Sequence, residues 1–348
     1  MQLSPQAYSN MTDYLARLYD VALYTVQGMS HPVIFYPAQA RQRNHVDSIL
    51  GHIPSATLSK DDFTIYDYGY LHSLQNSQRH LFNGTTFALK QIRTKPLRID
   101  AHFGTYYDML ATCYSMEQEL IDSSDSKFIR LPLRSQLHRE LSPKNSLSDG
   151  RGRSAAIGCV ALIVFNDGED YQAIISRRTK SHATRSDSYH LLPAFIFQPM
   201  SEAMRDSEWS IEHHFYREWL EELFGMAESD SMDFYQHPAL VDLRQMQDNK
   251  QAGLYLTGMA MNLLTLRPEI CMLTLIHDSG WWQRVNASGS PIKVAPSESR
   301  DELLLIPIAE DDNLFYALPD KTLTGFVPQA IPALWEGVTL AREIINNL

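Results

Sequence analysis

Apolar and polar positions fall into two regimes along the 348 residues. Up to about residue 140 the apolar runs are short. Tyr14, Leu15, Leu18 and Val21 or Ala22 recur at helical spacing, which predicts a helix over residues 5–28. HPVIFYP reads as a short buried strand closed by Pro37. FTIYDYGYLHSL and TTFALKQI read as further strands, the second after the turn signal NGT. Residues 105–122 predict a helix with Tyr106, Leu110, Cys113 and Leu120 among its inward positions.

LSPKNSLSDGRGRS, residues 141–154, collects Ser, Pro, Asn, Asp and Gly and reads as a linker. Beyond it the runs lengthen. AAIGCVALIVFN predicts a buried strand, and DGED turns it back into YQAIISRRT. YHLLPAFIFQP is another strand-like run, followed by the acidic loop MSEAMRDSE and a helix over residues 213–225. GLYLTGMAMNLLTL, EICMLTLIHD and DELLLIPI read as later strands, and PQAIPALWEGVTLAREIINN as a closing helix. The order predicts an α/β (α+β) protein: a mixed α/β N-terminal domain over residues 1–150 and a mixed-sheet domain over 151–348. Helices do not alternate regularly with strands, which argues against a doubly wound parallel sheet.

Composition adds boundaries. Hydrophobic residues at 44% and charged residues at 20% are globular values. No eighteen-residue apolar run is present, so no membrane span is expected. The N-terminus lacks the basic-then-apolar layout of a secretory signal. Cys113, Cys159 and Cys271 follow neither zinc nor disulfide spacing, so buried thiols in a reducing cytoplasm are expected. A net charge of −11 argues against a nucleic-acid partner. It leaves room for a small anionic substrate accompanied by a divalent cation. The apolar closing helix makes a homodimer a candidate.

The segment HHFYREWLEELFG, residues 213–225, raises a chemical question. On a wheel of about 100° per residue, Glu222 falls about 40° to one side of Glu218 and Glu221 about 60° to the other. Tyr216, Trp219, Leu220, Leu223 and Phe224 occupy the opposite arc, fit for burial. Arg217, four positions before Glu221, is placed to hold that carboxylate. Like charges at this spacing oppose one another by about 0.2–0.5 kcal/mol per pair. The helix dipole adds roughly 0.3–1 kcal/mol for each glutamate in a last turn. A solvated face tolerates that sum. A hard divalent cation removes it, since Mg²⁺ (or Mn²⁺) takes carboxylate oxygens and keeps waters for bound phosphates.

REWLEELFG resembles the core of the Nudix box, in which Arg-Glu is followed by two residues, Glu-Glu and soon a Gly. The preceding hairpin and the later apolar strands suit the same family over residues 154–345. The resemblance implies a Nudix-like mixed-sheet α/β/α sandwich. It further implies an Mg²⁺-dependent hydrolase cleaving the pyrophosphate bond of a nucleoside diphosphate linked to another moiety. Glu218 and Glu222 would be the principal metal ligands, with Glu221 a third ligand or the orienter of the attacking water. Glu221 and Glu222 are also catalytic candidates. Glu302, at the start of ELLLIPI, is the downstream candidate base, with Glu298 and Glu269 as alternatives. Arg177 and Arg178 are candidate phosphate clamps, of which one is expected to serve, because neighbours on a strand face opposite ways. Arg217 is assigned a structural role.

The chain also departs from the family pattern. Pro193-Ala194-Phe195 replaces Pro-Gly-Gly, and the missing glycines are expected to keep a backbone carbonyl from the metal. The first box glutamate should fall near Trp209, yet Glu208 is one position off and Glu202 lies earlier. One extra residue precedes Gly225. These departures motivate an alternative, a catalytically weak Nudix-like nucleotide-sensing or regulatory module. Trp281-Trp282 is expected to pack against its own domain, and His213 and His214 to lie on the helix surface. His102 and Asp108 are read as structural.

Overall fold

The computed structural model describes residues 4–76, 81–123, 130–177, 188–227, 233–290, 292–294, 302–308, 323 and 325–348. Helix α1 (Pro5–Tyr19) ends at Asp20, whose φ of 50° leaves the helical region well before residue 28. The predicted remainder instead forms a hairpin, β1 (Tyr24–Val26) with β2 (Met29–His31), followed by strand β3 (Val33–Pro37).

FTIYDYGYLHSL is likewise not a strand. Tyr68–Gln75 forms helix α2, because the Asp67 side chain accepts the Tyr70 amide at 2.9 Å and caps its first turn. TTFALKQI does become strand, as β4 (Thr85–Thr94) in a hairpin with β5 (Leu97–Thr105). The predicted helix after it is built of α3 (Tyr106–Met109), a π turn (Leu110–Tyr114) and α4 (Ser115–Ser123). Helices α5 (Pro132–Glu140) and α6 (Pro143–Ser146) follow.

The main sheet begins with β6 (Gly158–Asn166) and β7 (Tyr171–Arg177). Short strands β8 (Tyr189–His190) and β9 (Ala194–Ile196) lead to α7 (Ile211–Glu218), a second π turn (Trp219–Leu223) and α8 (Pro238–Asp248). Strands β10 (Ala252–Asn262) and β11 (Arg267–Ile276) precede α9 (Trp281–Asn286), β12 (Glu302–Pro307) and α10 (Ala330–Ile345). The strand order is β12-β7-β6-β11-β10-β3, with β8 on β7 and β9 on β6. The β6–β11 pair is parallel and the β10–β11 pair antiparallel, so the sheet is mixed and the α/β class holds.

Both faces of the central strands are covered, which is why β6 is apolar along nearly its whole length and β11 from Ile270 onwards is apolar except for Thr274. Cys159, Ala161, Ile163 and Phe165 of β6 share a core with Phe215, Trp219, Leu220 and Leu223. The alternate residues Val160, Leu162 and Val164 share a second core with Ile331, Leu334, Val338 and Ala341 of α10. Helices thus sandwich the sheet. The apolar residues of α10 that suggested a homodimer are buried against the chain's own strands.

Residues before and after position 150 share the first of these cores. Strand β3 forms one edge of the main sheet through β10. The Leu89 and Ile157 amides donate to Ala155 and Phe87 carbonyls at 2.8 Å each, stitching β4 to the chain entering β6. The 141–154 stretch is not an exposed linker. Ser146, Arg153 and Ser154 are buried, and the Arg153 guanidinium donates to the carbonyls of Ser146, Asp149 and Leu266. Polar composition there serves internal hydrogen bonding. Among the described residues no helix is long and apolar enough to cross a membrane.

Candidate functional site

Helix α7 is held at its start from a distance. Ser210 Oγ accepts the His213 amide at 3.1 Å, the ordinary N-cap bond. Asp47 adds a second cap: its Oδ1 accepts the Ile211 amide at 2.6 Å and the Glu212 amide at 3.2 Å, and its Oδ2 accepts the Ser210 hydroxyl. The negative charge lies where the helix dipole favours it. Trp209 Nε1 donates to the Gly51 carbonyl at 3.2 Å, tying the same corner to the N-terminal segment.

Arg217 is the hub of the acidic face. Its Nη2 donates to Glu218 Oε1 and to the Gln198 carbonyl, both at 3.0 Å. Its Nε stands 3.7 Å from Glu221 Oε1, and its Nη1 3.5 Å from Glu208 Oε2. Glu208 is 1% exposed and accepts the Met200 amide at 3.0 Å. Burial raises its carboxyl pKa, and the Met200 amide and Arg217 charge act against that rise. Glu208 therefore meets Arg217 despite its one-residue offset, while Trp209 packs on Phe87 with ring centroids 4.8 Å apart.

The side chains of Glu218 and Glu221 are each 12% exposed. Glu222 is partly buried, and its Oε2 accepts the Ala194 amide at 2.8 Å. Of the two ways of tolerating the cluster, a freely solvated face does not describe these side chains. At Ala194, where the family pattern has glycine, the backbone meets Glu222 through its N–H. The extra residue before Gly225 falls at the end of the π turn, which admits one more residue than an α turn. Gly225 then takes φ 68°, and the Met226 amide donates to Leu220 O at 3.1 Å, closing the helix.

Behind this face lies Cys159. Burial pushes its thiol pKa well up, and the charges of Cys271, Glu269, Glu218 and Glu222 push the same way. Two helix carboxylates and one from β11 thus act on a single buried sulfur. All three cysteines are free and buried, as their spacing predicts. Among the described residues, no three His, Cys, Asp or Glu side chains converge closely enough to hold a metal ion.

The other candidates lie elsewhere. Glu302 and Arg177 face one another across the β12–β7 pair, 3.8 Å apart, with side chains 61% and 48% exposed. Arg178 and Glu298 lie outside the described residues. His214 is not a surface residue. It is fully buried among Phe87, Phe195 and Phe197. Burial, then the Arg217 and His213 charges, hold its pKa well below the usual histidine value. Trp281 and Trp282 pack on Phe165, as expected of a pair that packs against its own domain, although they sit on helix α9. Asp108 accepts from Lys60 and the Tyr66 and Thr105 hydroxyls, a structural arrangement.

Sequence reasoning missed Asp47 entirely, because no local pattern announces a cap supplied from so far away. Glu208 carried a visible signal, an acid nine positions before Arg217 rather than eight. Set against known proteins, the chain matches no family model, and no curated protein matches it.

Proposed function

We propose that the chain is an Mg²⁺-dependent hydrolase that cleaves the pyrophosphate bond of a nucleoside diphosphate linked to another moiety. The observation that carries this reading is the withdrawal of Glu218 and Glu221 from bulk water on a helix that also presents Glu222. Hard carboxylate oxygens suit Mg²⁺ or Mn²⁺ by donor chemistry. Three converging protein ligands are not required, because Mg²⁺ is commonly held by one or two carboxylates with waters and substrate phosphates completing the shell.

When bound, the cation supplies neutralisation of diphosphate charge and a lowered pKa for the attacking water. The chain supplies geometry. Arg217 fixes Glu218 and steadies Glu221, and the Ala194 amide orients Glu222. Glu218 and Glu222 would hold the ion, and Glu221 would orient the water. Arg177 offers a guanidinium to phosphate oxygens. Glu302, opposite it, is the candidate base.

A panel of nucleoside-diphosphate conjugates with Mg²⁺ tests the reading. The wild type should release a mononucleotide and a phosphorylated leaving moiety. Glu222→Gln should lose about a hundredfold or more in kcat/KM, a transition-state loss of roughly 2.7 kcal/mol. Equal rates for the two proteins would sink the proposal.

A nucleotide-sensing module is the second reading. It is favoured by one observation: each of the three carboxylates already has a protein donor or cation beside it. Calorimetry followed by product analysis separates the two, since a sensor binds a nucleotide and returns it intact after hours.

A further inference from the structure

Helix α7 has a cap of its own. Ser210 Oγ accepts the His213 amide, and Glu212 is exposed, so water can serve the first-turn amides. Asp47 nevertheless meets this corner at three groups: the Ser210 hydroxyl and the Ile211 and Glu212 amides. It supplies a fixed position as well as an acceptor.

Asp47 can fix a position because its own turn is fixed. It lies in the 3₁₀ turn Val46–Ile49, in which Val46 and Ile49 are buried. The chain on either side is bonded to two different strands. The Gln42 carboxamide donates to the Leu97 carbonyl and the Leu256 amide to the Arg43 carbonyl, each at 2.8 Å. The Gly51 amide donates to the Ile99 carbonyl at 2.7 Å, and Trp209 Nε1 returns to the Gly51 carbonyl at 3.2 Å. Residues 42–51 thus form a strap, anchored on β5 and β10, that crosses the start of α7.

The corner under the strap joins the two halves of the Arg217 network. Glu208, two residues before Ser210, stands 3.5 Å from Arg217 Nη1 on the loop side. On the helix side, Arg217 reaches Glu218 at 3.0 Å and Glu221 at 3.7 Å. A shift at Ser210–Ile211 therefore moves Glu208 relative to the helix and changes what Arg217 can hold.

We propose that Asp47 is a positioning residue for the divalent-cation site: it sets the angle at which α7 leaves the Glu208 loop and, through Arg217, the placement of Glu218. The proposal rests on the functional reading above. It makes the N-terminal segment part of the frame of the site.

Mn²⁺ binding to the full-length chain, followed by electron paramagnetic resonance and calorimetry, tests it without reference to turnover. Asp47→Ala should weaken binding about tenfold, within the range for residues that touch neither ligand. Asp47→Asn keeps the shape and an acceptor oxygen, and should stay within about twofold of the wild type. Asp67→Ala removes the cap of α2 and should bind Mn²⁺ as the wild type does, because lost stability alone leaves the affinity of the folded protein unchanged. If the wild type binds Mn²⁺ and Asp47→Ala binds it equally well, Asp47 is a cap and nothing more, while the hydrolase reading stands. If Asp67→Ala weakens binding as much as Asp47→Ala, the effect is one of stability and the inference falls. If the wild type binds no Mn²⁺, the functional reading falls and takes this inference with it. Should Asp47→Ala fail to fold, Asp47→Glu, which keeps the charge but displaces the carboxylate by one methylene, takes its place with the same expectation.

Discussion

Asp47 Oδ1 accepts the Ile211 amide at 2.6 Å, so a residue from the first fifty closes the N-terminus of the acidic helix. Asp47→Ala should cost about 1–2 kcal/mol in denaturant unfolding, the range for a lost cap with a favourable dipole charge. Asp47→Asn keeps an acceptor oxygen and should lose less. Equal stability for Asp47→Ala and the wild type would show that Ser210 alone suffices.

Arg217→Met should be more damaging. It strands Glu208 in the interior without its cation and leaves Glu218 and Glu221 unscreened from one another. Removing one member of a buried pair costs about 3–5 kcal/mol. The penalty should depend on pH. Burial already raises the Glu208 pKa, so its folded state holds the proton more tightly than the unfolded chain. That contribution is full below the unfolded value and is lost as pH rises through the folded one. Urea midpoints for Arg217→Met should therefore fall further below the wild type at pH 8 than at pH 5.

His214 sets an acid limit on stability. Its pKa is held well below the ordinary value, and burial, the first cause, disfavours the charged ring. Its neutral form belongs to the fold, so this stability is present above the unfolded pKa near 6.5 and is lost as pH falls below it. A histidine kept neutral contributes a loss of about 2 kcal/mol between pH 7 and pH 5. His31 and His138, each lowered to about 4 by burial, act in the same direction. His214→Phe should flatten the decline in Tm on acidification relative to the wild type, whatever its effect at pH 7.

Gly258→Ala tests the attachment of β3. An added methyl would overlap the Tyr36 carbonyl and the Phe35 ring, at the bulge where β10 pairs with Pro37. Overpacking of this kind costs about 1–3 kcal/mol. Amide hydrogen exchange in residues 33–37 should accelerate, while exchange in β6 and β11 should change little at the same denaturant concentration.

Much of the architecture was legible in the residue pattern. Strand β6 announces itself because a strand covered on both faces is built almost entirely of apolar side chains. The acidic helix is legible because Tyr216, Trp219, Leu220 and Leu223 repeat at its turn. Arg217 was readable as the partner of Glu221 from spacing alone, and the structure places them 3.7 Å apart. Where pattern misled, a specific contact intervened. The aromatic alternation of FTIYDYGYLHSL imitates a strand until Asp67 caps a helix. The polar residues of 141–154 imitate a linker until Arg153 uses the surrounding carbonyls inside the core.

By itself the sequence determined which apolar strands are buried and which helix gathers carboxylates, since both follow from the order of neighbouring residues. Only the tertiary structure decided what meets that helix. Asp47 at its start, Glu208 behind Arg217 and the Ala194 amide on Glu222 come from elsewhere in the chain. Such meetings depend on strand register and on the packing of distant segments, and neither leaves a periodic trace along the chain.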